Sequence, residues 1–200
     1  MNSNDDSKAL PAARWASTKM IYQVGSILSS YEEEARMKKT SAILERDQDW
    51  MERALAMAAE AGRAGEVPVG AIAVYQDQWL ASARNRSIEL SDPTAHAEIL
   101  LLREAGRLLG NYRLPGVEIF VTLEPCPMCA GALIWARVQR LIFAAKDPKA
   151  GAVTSCAKLL DPGRFNHSVE VAGGILPEES QKLLQDFFRR RRQKSDSLDN

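Results

Sequence analysis

The sequence predicts an α/β domain with five short strands and helices set between and around them. Two observations point there. Short runs of apolar, largely β-branched or aromatic residues alternate with stretches whose apolar residues recur every three or four positions. In the middle of the chain the order strand, helix, strand, helix brings two helix starts to one edge of a sheet, where open α/β sheets bind ligands. A length of 200 residues suits one domain with a substantial core.

Residues 1–47 read as an N-terminal extension, a mixture of Ser, Ala and charge with little sustained periodicity, for which disorder or partial helix is expected. Glu32-Glu33-Glu34 followed by Arg36, Lys38 and Lys39 suits a short solvated helix with charge pairs. A natural start at Met20 or Met37 is the alternative account of this segment, and the intact mass of the natively expressed protein decides it. The globular part, 48–194, opens with Trp50, Met51, Ala54, Leu55, Ala58 and Ala61 at helical spacing, ended by Gly62 and Gly65. Val69–Val74 is the first strand, Asp77 and its neighbours turn the chain, and Trp79–Arg84 returns as the second, ending at Asn85.

Asp92-Pro93-Thr94 then leads into a helix over Ala95–Leu109, with Thr94 the expected N-cap. Glu118–Leu123 is the third strand and delivers Glu124 and a cysteine pair directly. A second helix begins near Pro127, since proline suits a first helical turn. It is apolar nearly all round, which means deep burial or a subunit interface. Arg140–Ala145 is the fourth strand, Lys146–Gly151 a polar loop near the same edge, and Val169–Val171 the fifth strand. Pro177-Glu178-Glu179 starts a last helix with acids in its first turn, favoured by the helix dipole. Residues 195–200 read as a flexible tail.

The chemistry concentrates in His96-Ala97-Glu98 and Pro125-Cys126-Pro127-Met128-Cys129. A catalytic Zn²⁺ commonly takes three protein ligands and keeps a fourth position for water. His96, Cys126 and Cys129 are the candidate ligands, and two thiolates with a neutral imidazole bring the site to zero net charge. Glu98 is left over to move protons. Residues two apart on a helix diverge, so His96 can face the metal while Glu98 faces the space beside it. Cysteines three apart can face one point, and a helix N-terminus favours their thiolates. A redox pair or half of a structural zinc site is the alternative reading of Cys-x-x-Cys, with Cys156 or His167 available to complete the latter. Such a site has no need of Glu98. Cys156 reads as a small semi-buried residue and no ligand, and His167, followed by a strand, as a structural or rim residue more than a metal ligand.

The apolar content is ordinary for a soluble globular chain. Three cysteines, two assigned to metal, leave no disulfide framework, which fits the reducing cytosol. No apolar run is long enough to span a membrane, and the start lacks the basic-then-apolar order of a secretory signal. Acidic and basic residues balance at 26 each, against a bulk polyanion binder but not against a local basic patch. Lys182–Lys194 carries six bases and one acid, Asp186. By composition this is first a solvated helix C-terminus, where bases are favoured anyway. Next to exposed aromatics it also suits a phosphate backbone with unstacked bases.

The His-x-Glu and Pro-Cys-x-x-Cys pattern is the signature of zinc-dependent nucleobase deaminases. Further blocks narrow the resemblance: Glu66-Val67-Pro68-Val69-Gly70-Ala71, Asn85-Arg86, Asp92–Ile99, Asn111-Tyr112-Arg113-Leu114, Val121–Cys126, Met128–Ala132 and Phe187-Phe188-Arg189. Over about Gln48–Gln193 the sequence resembles the bacterial tRNA-specific adenosine deaminases of the cytidine/deoxycytidylate deaminase superfamily. The Asn-Tyr-Arg-Leu block and the Phe-Phe-Arg tail belong more to the tRNA branch and shift the basic tail toward RNA. The resemblance implies a three-layer α/β/α, cytidine deaminase-like fold with a mixed five-stranded sheet, a homodimer and one Zn²⁺ per subunit. It implies hydrolysis of adenosine to inosine at the wobble position, 34, of a tRNA anticodon in the cytoplasm, an arginine tRNA with an ACG anticodon being the expected substrate. A zinc-activated hydroxide would attack C6, with Glu98 as proton shuttle.

By the same resemblance His96, Cys126 and Cys129 bind zinc, Asn85 contacts the flipped nucleoside, and Val69 and Pro68 wall the base. Asp147 and Phe188 meet the anticodon arm. The 1–47 extension has no counterpart in the family pattern, and Trp135 stands where a polar residue is frequent, which bears on the dimer surface. Two rivals stand beside this reading. One is a deaminase of guanine, cytosine or cytidine using the same zinc chemistry without need of the basic tail. The other is a non-catalytic RNA-binding subunit with zinc only for folding, against which the intact Glu98 argues.

Overall fold

The computed structural model describes residues 12–196, with side chains described over 36–194. Most of the tail expected at 195–200 lies outside the described residues, as does the start of the 1–47 extension. The chain divides into two compact units, Met1–Glu45 and Arg46–Asn200. The first is described as helix, with local bonds from the Thr40 hydroxyl to the Arg36 carbonyl (2.9 Å) and between Ser41 and Glu45 (3.0 Å).

The second unit is built on a five-stranded mixed sheet in the order β2-β1-β3-β4-β5. Strands β1 (Gly70–Tyr75) and β2 (Gln78–Arg84) form an antiparallel hairpin. Gln76 and Asp77 turn it at φ 52° and 58°, the left-handed pair whose twist matches the flanking strands. β3 (Val117–Leu123) runs antiparallel to β1, and β4 (Arg140–Ala145) and β5 (Glu170–Gly173) follow in parallel. The end of β2, the start of β1 and the ends of β3 and β4 therefore share one sheet edge.

Alternation along the strands makes two cores. Ala71, Ala73, Ile119, Val121, Leu141 and Phe143 face helices α2 (Ala97–Leu109) and α3 (Pro127–Ala136). Ile72, Val74, Phe120, Ile142 and Ala144 face the other way, toward Met51 and Ala54 of α1 (Ala12–Arg63). Helix α4 (Pro177–Asp196) packs on β3 and β4. This is the expected three-layer α/β/α arrangement. Gly70 is needed where α1 meets β1: a Cβ there would stand 2.3 Å from the Ala54 carbonyl oxygen and 2.4 Å from the Ala58 nitrogen. Among the described residues no helix is long and apolar enough to cross a membrane.

Two helix starts differ from expectation. Helix α1 begins at Ala12 and not near Gln48. No proline interrupts Ala12–Arg63, so backbone propensity carries a helix through residues that lack an apolar stripe. Helix α2 begins at Ala97, with His96 as N-cap and no side-chain cap of its own. Thr94 does not cap it, because its amide and hydroxyl both donate to Asp92 Oδ1 at 2.7 Å. The Ala97 amide goes instead to Asn85 Oδ1 at 2.8 Å, an acceptor supplied by the end of β2.

At the opposite sheet edge Asp47, 1% exposed, receives both Arg140 guanidinium ends at 3.0 and 2.7 Å. Glu118 bonds to Arg140 and Arg46 in the same cluster. Asp47→Ala leaves Arg140 without its buried partner and is expected to cost about 3 kcal/mol. Urea denaturation checks this; a loss below about 1 kcal/mol would mean the cluster is solvated.

Candidate active site

Two backbone devices aim the candidate donors at one point. Cys126 is the N-cap of α3 (φ −71°, ψ 171°) with Pro127 in the first turn, so Cys126 and Cys129 flank the helix start. His96 is the N-cap of α2 (φ −72°, ψ 152°), held there by the Asn85–Ala97 bond. His96 Nδ1 lies 3.7 Å from Cys126 Sγ and 3.5 Å from Cys129 Sγ, and all three donor atoms fall within 4.8 Å of one another. Tetrahedral coordination by an imidazole nitrogen and a thiolate at ordinary zinc bond lengths separates the two by about 3.6 Å. The donor set therefore fits a zinc ion.

Neither Cys156 nor His167 joins the group. The exposed Cys156 thiol donates to the Pro148 carbonyl at 3.2 Å, and His167 Nε2 lies 2.8 Å from the Val138 carbonyl oxygen. With three protein donors and no fourth among the described residues, the arrangement has the open form of a catalytic site.

Electrostatics set the donors apart. A hydrogen bond with Cys129, together with His96, outweighs burial and lowers the Cys126 pKa to about 4. Cys129 is pushed up by the same hydrogen bond and by burial. The Cys126 hydrogen bond raises His96. Glu98, 4% exposed, is raised by burial, as suits a carboxyl that must hold a proton in one step and release it in another.

The MafB19-like deaminase family profile matches residues 45–192. A tRNA-specific adenosine deaminase of Agrobacterium fabrum is 46% identical over 143 residues, 72% of this chain and 94% of that relative. The chain belongs to the tRNA-specific adenosine deaminase family. The Bacillus subtilis member is 44% identical over 148 residues, 74% of this chain and 92% of its own. A solved structure from biochemical and structural studies of A-to-I editing by tRNA:A34 deaminases at the wobble position matches with a TM-score of 0.66. It is 45% identical and covers 68% of this chain and 99% of its own. Membership of this deaminase family makes the chain an enzyme of the hydrolase class.

The other expected residues fall in three places. Val69, 5% exposed, belongs to the core against α2 and α3, and its carbonyl accepts the Asn85 amide at 3.0 Å. Asn85 is 8% exposed; with Oδ1 spent on Ala97, its side-chain amide is left to donate. Asp147 and Phe188 meet across a groove of about 810 Å³ with Val67, Lys149 and Arg192. Pro68 lines a different groove, beside Arg63 and Arg190.

Sequence reasoning left Glu124 without a role. It is 2% exposed and accepts the amides of Asp147 (3.1 Å), Val153 (3.1 Å), Thr154 (2.7 Å) and Ser155 (2.9 Å), and the Ser155 hydroxyl (2.5 Å). Gly151 packs on it so closely that a Cβ would lie 2.4 Å from the carboxylate carbon. One carboxylate thus shapes the loop that carries Asp147. A lone acid between a strand and Pro-Cys is the only sequence signal for this.

Burial raises the Glu124 pKa, but the Ser155 hydroxyl and the Thr154, Ser155 and Asp147 amides outweigh it and bring it from the ordinary 4.5 to about 2. A depressed folded value stabilises fully above the unfolded pKa and is lost as pH falls through the folded one, here from about 4.5 to about 2. Glu124→Gln is expected to cost about 2 kcal/mol at pH 7 and to flatten this acid limb. Melting temperatures of both proteins across that window decide it: parallel acid limbs would exclude Glu124 as the source.

Proposed function

We propose that this chain deaminates adenosine 34 of a tRNA anticodon to inosine in the cytoplasm, as a homodimer with one Zn²⁺ per subunit held by His96, Cys126 and Cys129. The observation that carries the reading is Glu98, a buried carboxyl of raised pKa beside three convergent donors. The names of the relatives, tRNA-specific adenosine deaminase, support the substrate.

A bound zinc ion supplies the Lewis acidity that makes water a nucleophile near neutral pH. Glu98 takes one proton from the water as its oxygen adds to C6 and gives it to ring N1, then takes the remaining hydroxyl proton and gives it to the departing amine. The C6–N6 bond breaks, ammonia leaves and inosine remains. Asn85 donates its free amide hydrogens to the nucleoside, and Val69 walls the base. Phe188 offers an aromatic face for an unstacked neighbouring base across the groove from Asp147. An anticodon loop is partly single-stranded, so exposing its base costs less than opening a duplex.

The dimer reading rests on α3. Its inner face is buried, yet Trp135 is 78% exposed and Met128 37%. Trp135 lines an apolar cleft of about 630 Å³ with Ile99, Leu102, Tyr112 and Ala132. A second copy of this chain is the proposed cover.

The deciding experiment incubates an arginine tRNA transcript with an ACG anticodon and reads nucleosides by mass spectrometry, with guanine, cytosine and cytidine alongside. Inosine at position 34 supports the reading. Ammonia from a free base without inosine overturns the substrate and keeps the chemistry.

A further inference from the structure

Helix α4 forms a ridge between two grooves. Leu184, Phe188 and Arg192, spaced four apart, face the one that holds Asp147. Leu183 and Arg190, seven apart, face the other, a cleft of about 380 Å³ closed on its far side by Gly62, Arg63 and Pro68. Val67 and Pro68 are consecutive, yet each lines a different groove. The short loop between α1 and β1 is therefore where the grooves meet, and the same loop leads into Val69.

The second groove has an apolar floor and a cationic rim. Its lining contains Arg63 and Arg190 and no acid. Both arginines are exposed, and neither has a hydrogen bond, ion pair or ring contact with another described residue. The negative end of the α1 dipole accounts for a cation at Arg63 in the last turn. It does not account for a second one facing the same space from α4. Two unpaired guanidinium groups over an apolar floor suit a phosphodiester with its sugar.

We propose that this groove takes a phosphodiester of the same RNA, flanking the target nucleotide, gripped by Arg63 and Arg190, so that the strand crosses from one flank of α4 to the other over the 64–69 loop. The proposal rests on the tRNA reading above. It adds a contact on α1 and places the α4 arginines on two separate tracks, Arg192 on one and Arg190 on the other.

The test compares the full chain with R63E/R190E on the tRNA transcript. A K158E/R164E variant makes the same change of charge at residues that line neither groove. R63E/R190E is expected to raise KM about tenfold or more and to reduce the slope of log binding constant against log salt by about 1 to 2, with kcat at saturation within about twofold. R63A/R190A should fall between it and the wild type, and it carries the test if the double reversal melts early. An unchanged salt slope, or an equal effect from K158E/R164E, overturns the groove assignment. Failure of the wild type to make inosine strikes the substrate reading instead, while the salt slope on the same transcript still decides the groove.

Discussion

Glu98→Gln is expected to keep the fold and the metal and to lower inosine formation about a thousandfold. The side chain lies outside the three-donor group, so metal content by mass spectrometry should match the wild type. The substitution removes a buried carboxyl that neighbours His96 and both cysteines, the group proposed above to carry protons between water, ring nitrogen and leaving amine. An amide is near in shape and carries no charge into a buried place, so the melting temperature should hold or rise, as is common when an active-site residue is sacrificed for stability. A variant within about tenfold of wild-type turnover would assign proton transfer elsewhere. A variant that loses metal would make Glu98 a support of the donors.

Cys126→Ser is expected to strip the metal and to take activity below detection. A neutral serine hydroxyl is a poor zinc ligand beside a thiolate whose pKa is already held at about 4. His96 and Cys129 alone make a two-donor site. Cys156→Ser serves as the comparison: that thiol is exposed, is bonded to the Pro148 carbonyl and lies outside the donor group, so metal content and turnover should both survive. Stoichiometric metal in Cys126→Ser would reassign the ligands. Loss of metal in Cys156→Ser would bring back the four-ligand structural site that the sequence left open.

Several features were determined by the sequence itself because they depend on neighbours a few residues apart. Strand β4 was legible at both ends, and the others within a residue or two, since apolar alternation bounded by turn residues is a local signal. The convergence of His96, Cys126 and Cys129 was legible too, since a helix start lets Cys126 and Cys129 face one point. Family membership followed from blocks that stay in order along the chain.

What only the tertiary structure decided are the partners that buried polar groups find at long range. Thr94 reads as a cap, and Asp92 takes its hydroxyl while Asn85, just past the end of the preceding strand, serves the helix. Glu124 has no role legible in the sequence, and it is the acceptor around which the loop from Asp147 to Ser155 folds. In each case a buried donor or acceptor must be satisfied, and burial is a property of the packed sheet and helices that no stretch of sequence carries alone.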